Sequence, residues 1–266
     1  MKLHFFGTCA GTEPMPGRKH TSFAVEIESG IYWFDAGENC SNTAHLMGVD
    51  LLAVRKIFIS HTHMDHVGGL GNLFWNIRKL SGLKNQLPIE KRVDLYLPNL
   101  EIWDGIWMIL KNTEGDYACQ FEIGTHEVTD GVLLDQDGIR VSAIHNHHLP
   151  HTDGKPWRSF SYKIEAEGKT VVFSGDVKEV DDLAPFLWDP CDVLLIETGH
   201  HNVAPLCDRI TERYPLVKSL FFIHNGKDIL QNPVAAAFTA QQHFRGPVII
   251  CEDGTSISIE RDSFPF

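Results

Sequence analysis

A layered α/β/β/α fold is predicted by two features of the sequence. Short apolar runs of strand character come in two batches, and each batch is followed by segments whose apolar residues recur at three and four positions. Two such sheets bury one face against each other and the other under helices. At 266 residues the chain is long enough for a sizeable core without covalent staples. No fixed-period repeat, low-complexity tract or long linker divides it, so one domain over residues 1–266 is expected.

In chain order, the first batch is 2–6, 22–28, 31–34 and 56–60, with Ser29-Gly30 as a tight hairpin turn. The second batch is 95–97, 139–144, 160–165, 170–174, 193–197, 219–223, 248–251 and 256–259, with turns at Glu167-Gly168 and Asp253-Gly254. Helical spacing covers 67–80, 100–111, 203–214 and 233–244, and Pro233 suits the first turn of the last of these.

Six cysteines without a CxxC pair argue against a disulfide framework or a thiolate zinc site and fit a reducing, cytoplasmic setting. No apolar run reaches the roughly 20 residues of a membrane helix, and the N-terminus lacks a signal-peptide core. A formal charge of -12 repels polyanions at long range, although bound divalent ions would make a local site attractive to anions. Fifteen histidines hint at metal binding, but spacing must decide.

The decisive segment is His61-Thr62-His63-Met64-Asp65-His66, which follows the apolar strand 56–60 and precedes Gly68-Gly69. In extended chain, His61 and His63 point to one side and can grip one metal. Asp65 and His66 fall at the turn into the next helix, within reach of a second. Nitrogen ligands with one carboxylate suit zinc, with manganese or iron also acceptable.

One segment cannot complete two coordination shells, so further ligands are expected at other strand ends. Strand 139–144 leads into His145-Asn146-His147-His148-Leu149-Pro150-His151, where one ligand is needed; His147 is selected because it precedes the turn at Leu149-Pro150, with His148 next in order. Strand 170–174 ends in Gly175-Asp176, a ligand or a helix N-cap. Strand 219–223 ends in His224, a ligand or a packed histidine.

With these motifs in order, the chain resembles the metallo-β-lactamase superfamily. Phe34-Asp35-Ala36-Gly37-Glu38 is similar to that family's first motif, whose aspartate orients the metal loop from outside. The resemblance implies a four-layer αββα sandwich. It places His61, His63 and His147 on one metal and Asp65, His66 and His224 on the other, with Asp176 bridging. The opening Phe6-Gly7-Thr8-Cys9-Ala10-Gly11-Thr12-Glu13-Pro14, with Arg18 and Ser22, looks like the branch of ribonuclease Z and related phosphodiesterases. The chain departs from it at Asn225-Gly226-Lys227-Asp228, where the tRNA-processing enzymes carry a serine and arginine run, and the segment 112–120 is short and not basic. A tRNA substrate is therefore disfavoured.

The chemistry expected is metal-dependent hydrolysis by a hydroxide shared between two divalent ions, on a small-molecule or short phosphodiester. Asp65 is assigned as ligand and orienter of that hydroxide. His200, in Glu197-Thr198-Gly199-His200-His201, is assigned as proton donor or substrate contact, with a place on the pocket rim as the alternative. Lys178, Arg158 and Lys227 are candidate phosphate contacts; Trp157, Trp103 and Trp107 line the pocket or fill the core. Hydrolysis of a carboxylic ester, thioester, lactone or β-lactam fits the same site, as does a non-catalytic metal-dependent sensor. Oligomeric state stays open, a homodimer being compatible.

Overall fold

The computed structural model describes residues 1–113 and 117–260; residues 114–116, within the segment 112–120 read above as a short loop, and 261–266 lie outside the described residues. Fourteen strands are present among the described residues: β1 (Lys2–Gly7), β2 (Ser22–Ile27), β3 (Gly30–Phe34), β4 (Val54–Phe58), β5 (Arg92–Leu97), β6 (Glu122–Glu127), β7 (Gly131–Gln136), β8 (Ile139–His145), β9 (Phe160–Ala166), β10 (Lys169–Phe173), β11 (Val193–Glu197), β12 (Leu220–Ile223), β13 (Val248–Ile250) and β14 (Thr255–Ser258). They form two seven-stranded sheets, ordered β14-β1-β2-β3-β4-β5-β6 and β13-β12-β11-β10-β9-β8-β7. Each sheet is mixed. The β14-β1-β2-β3 and β7-β8-β9-β10 stretches are antiparallel, and the remaining pairs are parallel.

The helices are α1 (Cys40–Leu46), α2 (Met64–Val67), α3 (Leu70–Lys84), α4 (Leu100–Thr113), α5 (Ala184–Leu187), α6 (Val203–Arg213), α7 (Lys227–Gln231) and α8 (Pro233–His243). α3 buries Leu70, Leu73, Phe74 and Ile77, and α6 buries Val203, Leu206, Cys207 and Ile210, the one-face stripes their spacing predicts. No helix among the described residues is long and apolar enough to cross a membrane.

The layered arrangement is borne out by three apolar clusters. Central strands alternate between them: on β3, Tyr32 and Phe34 face the inter-sheet core while Trp33 faces the α1, α3 and α4 side. On β11, Val193 and Leu195 face the same core, and Leu194 and Ile196 face α6 and α8. Burial of both faces explains why these strands read as continuous apolar runs. Phe23, Phe34 and Phe58 stack across β2, β3 and β4 with centroids 5.1 Å apart, and Phe173 and Tyr162 meet them edge-on from the other sheet. Each fully buried ring of this kind contributes roughly 1.5–3 kcal/mol.

Some elements differ from expectation. The helix expected from residue 67 is two, α2 and α3, because the amide of Gly69 donates to Ala36 O (2.8 Å) and turns the chain between them. Strands β6 and β7 are not among the expected strands: both are edge strands with largely exposed side chains, β6 without an apolar run and β7 with only the three-residue run Val132-Leu133-Leu134. α1 is too short to show a helical period.

Candidate metal centre

At one end of the sandwich the sheets are tied together by backbone. Phe160 N donates to Ser60 O (2.9 Å), and Asn225 N to Thr8 O (2.6 Å). The Tyr162 hydroxyl donates to Ile59 O (2.6 Å). The chain leaving β4 therefore emerges beside the chains leaving β8, β10, β11 and β12, and the chemistry-bearing side chains collect there.

Three groups of ligand atoms form among the described residues, each with its members within 4.8 Å of one another: His61, His63, His148 and Asp176; Asp65, His66, Asp176 and His224; and Glu197, His200 and His224. Asp176 belongs to the first two and His224 to the last two. Asp176 Oδ2 lies 3.7 Å from His61 Nε2 and from His148 Nε2, and its Oδ1 lies 3.4 Å from His66 Nε2 and from His224 Nε2. Asp65 Oδ2 sits 3.3 Å from His66 Nε2 and 3.1 Å from His224 Nε2.

These residues fit a pair of divalent ions. His61 Nε2, His66 Nε2 and Asp176 Oδ1 are buried without a hydrogen-bond partner, a costly state for polar atoms that a metal resolves. A tetrahedral ion with bonds of about 2.0–2.1 Å holds its ligand atoms about 3.4 Å apart, which the spacings above match.

The surroundings orient the ligands. Asp35 accepts from Ser60 N (2.7 Å), Ser60 Oγ (2.8 Å) and His66 Nδ1 (2.7 Å), so the His66 proton is held on Nδ1 and Nε2 is turned to the site. Asp35 (φ 53°) and His224 (φ 51°) both adopt left-handed backbone, strain that non-glycine residues keep where the surrounding structure enforces it. Gly175 (φ 58°) makes room for Asp176: a Cβ there would meet Phe160 O at 2.8 Å and Ser60 Cβ at 2.9 Å.

One expected placement is corrected. His147 does not join the cluster; its Nδ1 pairs with Asp182 Oδ1 (2.6 Å) and its side chain is 55% exposed, whereas the His148 side chain is 11% exposed and faces Asp176. Burial follows odd positions along β8 through Ala143 and then passes to Asn146 and His148. Asp130 takes both the amide and the ring of His145 at 2.6 Å, pulling that side chain outward and shifting the alternation by one. His61, His63, Asp65, His66, Asp176 and His224 are brought together as expected.

Glu197 opens the segment from which His200 is assigned, and no role of its own is read for it from the sequence. It is fully buried at the end of β11, accepts from His200 Nδ1 (2.9 Å) and His200 N (2.9 Å), and reaches His224 Nδ1 at 3.9 Å. An acidic residue closing an apolar strand just before two histidines was its signal. Burial pushes its carboxyl up, but His200 and His224 outweigh that and hold it down at about 2. The hydrogen bond to Glu197 in turn raises His200, whose ring stands 4.9 Å from His148 and 5.8 Å from His224.

The cavity over this centre is lined by His63, Asp65, Asp176, His200 and His224, with Lys227 at its edge. Lys178 lines a neighbouring depression and Arg158 binds Pro98 O, so neither is placed in it. Trp103 is buried in the core with Trp107 packed beside it, and Trp157 is sandwiched between His145 and His151 with centroids at 4.0 and 3.8 Å.

Comparison with known proteins agrees with this architecture. The family model described as Anti-Pycsar protein Apyc1 matches residues 1–202. The ribonuclease Z of Methanothermobacter thermautotrophicus is 31% identical over 148 residues, 56% of this chain and 45% of that protein. The chain's matches span about half the length of the first such relatives (45%, 57% and 51%). The human tRNase Z short form (ELAC1) superposes with a TM-score of 0.73 at 20% identity, covering 98% of this chain and 100% of that one. YhfI from Bacillus subtilis gives 0.71 at 18%, covering 96% and 98%. These two structures establish the fold. The chain belongs to the Anti-Pycsar protein Apyc1 family and has the metallo-β-lactamase fold.

Proposed function

We propose that this protein hydrolyses the phosphodiester bond of a compact substrate, with cyclic nucleotides as the substrate class, at two divalent ions, zinc before manganese or iron. One ion would be held by His61, His63, His148 and Asp176, the other by Asp65, His66, Asp176 and His224. The observation that carries this reading is the sharing of Asp176, whose two oxygens face two different histidine groups. A pair of ions held there would supply hydroxide near neutral pH and neutralise charge on the phosphoryl oxygens.

The protein's own groups do the positioning. Asp35 fixes the His66 tautomer. Asp65 turns Oδ2 toward His66 and His224, and its Oδ1 would accept a hydrogen bond from the attacking water. Glu197 holds His200 through Nδ1 and favours its protonated form, so Nε2 would donate the proton that the leaving oxygen requires. Lys227, at the cavity edge, would meet a substrate phosphate. Family membership supports a cyclic nucleotide, and a charge of -12 supports a compact substrate over tRNA.

The test is turnover of bis-nitrophenyl phosphate and cyclic mononucleotides against nitrophenyl esters and lactones, with metal content measured before and after chelation. About two ions per chain and chelator-sensitive phosphodiester cleavage are expected, with Asp176→Ala lowering the rate about a thousandfold, the upper scale for one charge-stabilising group. Full metal with ester or lactone turnover alone would move the substrate to a carboxyl compound. Metal and ligand binding without turnover of any class would make it a sensor.

A further inference from the structure

A loop from Thr8 to Lys19 forms one lip of the cavity, and both its ends meet a single carboxylate from the far end of the chain. Asp253, in the turn between β13 and β14, accepts from Thr8 N (2.9 Å) and Thr8 Oγ1 (2.7 Å) on Oδ1, and from Lys19 N (2.7 Å) on Oδ2. Cys9 N to Lys19 O (2.9 Å) and Thr21 Oγ1 to Cys9 O (3.2 Å) close the base further. Above the base, Ala10 N donates to Asn225 O (3.1 Å), one residue past His224.

Ala10, Gly11 and Thr12 line the cavity, and Asp253 does not. Gly11 lies directly against Asp65: a Cβ at this position would meet Asp65 Oδ2 at 2.6 Å and Cγ at 2.8 Å. The backbone of the lip is thus fitted to a carboxylate that the metal reading needs.

We propose that Asp253 is a positioning residue: by holding both ends of the loop it sets where Gly11 and Thr12 stand over Asp65, and so fixes the substrate's approach to the ions. The residue type matters. Three N–H and O–H donors converge on two acceptor oxygens, whereas an asparagine offers one acceptor and one donor and satisfies the Thr8 end or the Lys19 end, not both. Only the kinetic arm of the test rests on the phosphodiesterase reading.

The experiment compares wild type, Asp253→Asn, Thr8→Ser and Gly11→Ala in the zinc-loaded full chain. Zinc content, amide hydrogen exchange and kinetics on bis-nitrophenyl phosphate are measured. Asp253→Asn is expected to keep its zinc, to exchange faster over residues 10–18 with the rest of the chain unchanged, and to lose about tenfold in kcat/KM, mostly through KM. Thr8→Ser keeps both Thr8 bonds and should match wild type. Gly11→Ala should leave the loop base protected while lowering zinc content, because the added methyl displaces Asp65.

Unchanged exchange over 10–18 in Asp253→Asn overturns the proposal. So does faster exchange with KM and kcat both at wild-type values, which would make the clasp a brace without influence on substrate. Should wild type hydrolyse no phosphodiester, the functional reading fails while the exchange data still decide whether Asp253 holds the lip. If Asp253→Asn does not fold, Thr8→Val, which removes one of the three bonds, must show a smaller effect in the same direction.

Discussion

The two sheets supply the same site by contrasting routes. The first sheet gives His61, His63, Asp65 and His66 from the one loop that leaves β4, while the second gives one residue per strand end: His148 after β8, Asp176 after β10, Glu197 closing β11 and His224 after β12. A contiguous donor set is fixed by local backbone, and its spacing alone determines who points where. A distributed set depends on where each strand's alternation ends, and a slip of one residue exchanges one donor for its neighbour, as between His147 and His148.

The largest test of that contrast is at the slip itself. His148→Ala should weaken zinc at the His61 and His63 group by more than the roughly 10- to 100-fold that loss of an outer partner produces, and His147→Ala should change zinc affinity less than about twofold. Zinc titration with a competing chelator reads both. Equal losses in the two variants would mean that the alternation past β8 is not fixed as described.

A smaller effect separates the contiguous set from its support. Asp35→Asn should lower zinc affinity by about 10- to 100-fold, because the amide presents one acceptor where Ser60 and His66 need two. Wild-type affinity in this variant would show that the His66 tautomer needs no fixing.

The gentlest test uses pH. In the metal-free protein burial lowers His61 and His148 below their ordinary range, so they present free nitrogens at neutral pH. Burial also acts to lower His66 and His224, but Asp176 and its neighbouring carboxylates outweigh it, raising His66 and bringing His224 to about 9. An ion entering that second group must displace protons. Its affinity should therefore fall about tenfold per pH unit for each proton displaced as pH drops below about 9, while the first group holds its ion. Titration that empties both groups in parallel would contradict the difference.

Legibility from sequence follows the same division. The HxHxDH segment is legible as a candidate donor set because period-two alternation places His61 and His63 together without any knowledge of the fold. Asp176 and His224 are legible because each lies just past an apolar strand, His224 directly after β12 and Asp176 beyond Ser174-Gly175 at the end of β10. The strand after which His148 lies was equally visible, but which histidine turns inward depends on Asp130 and Asp182, acidic residues distant in sequence that capture His145 and His147. Glu197 read as part of its strand, since a buried carboxylate is recognised by its partners. Among the elements, doubly buried strands are evident, whereas β6 and β7, at sheet edges, offer at most the three apolar residues Val132-Leu133-Leu134.

The contact between His224 and Asp65 spans 159 residues of chain. Pairing that distant must wait for loop closure, which slows the assembly of folds rich in such contacts. During synthesis the first four donors leave the ribosome well before Asp176 and His224 exist, so a chain caught early offers an ion only a partial, solvent-open grip. An ion held at the completed centre as proposed would load only after both halves have docked, and its retention would report a finished molecule and not a nucleus for folding.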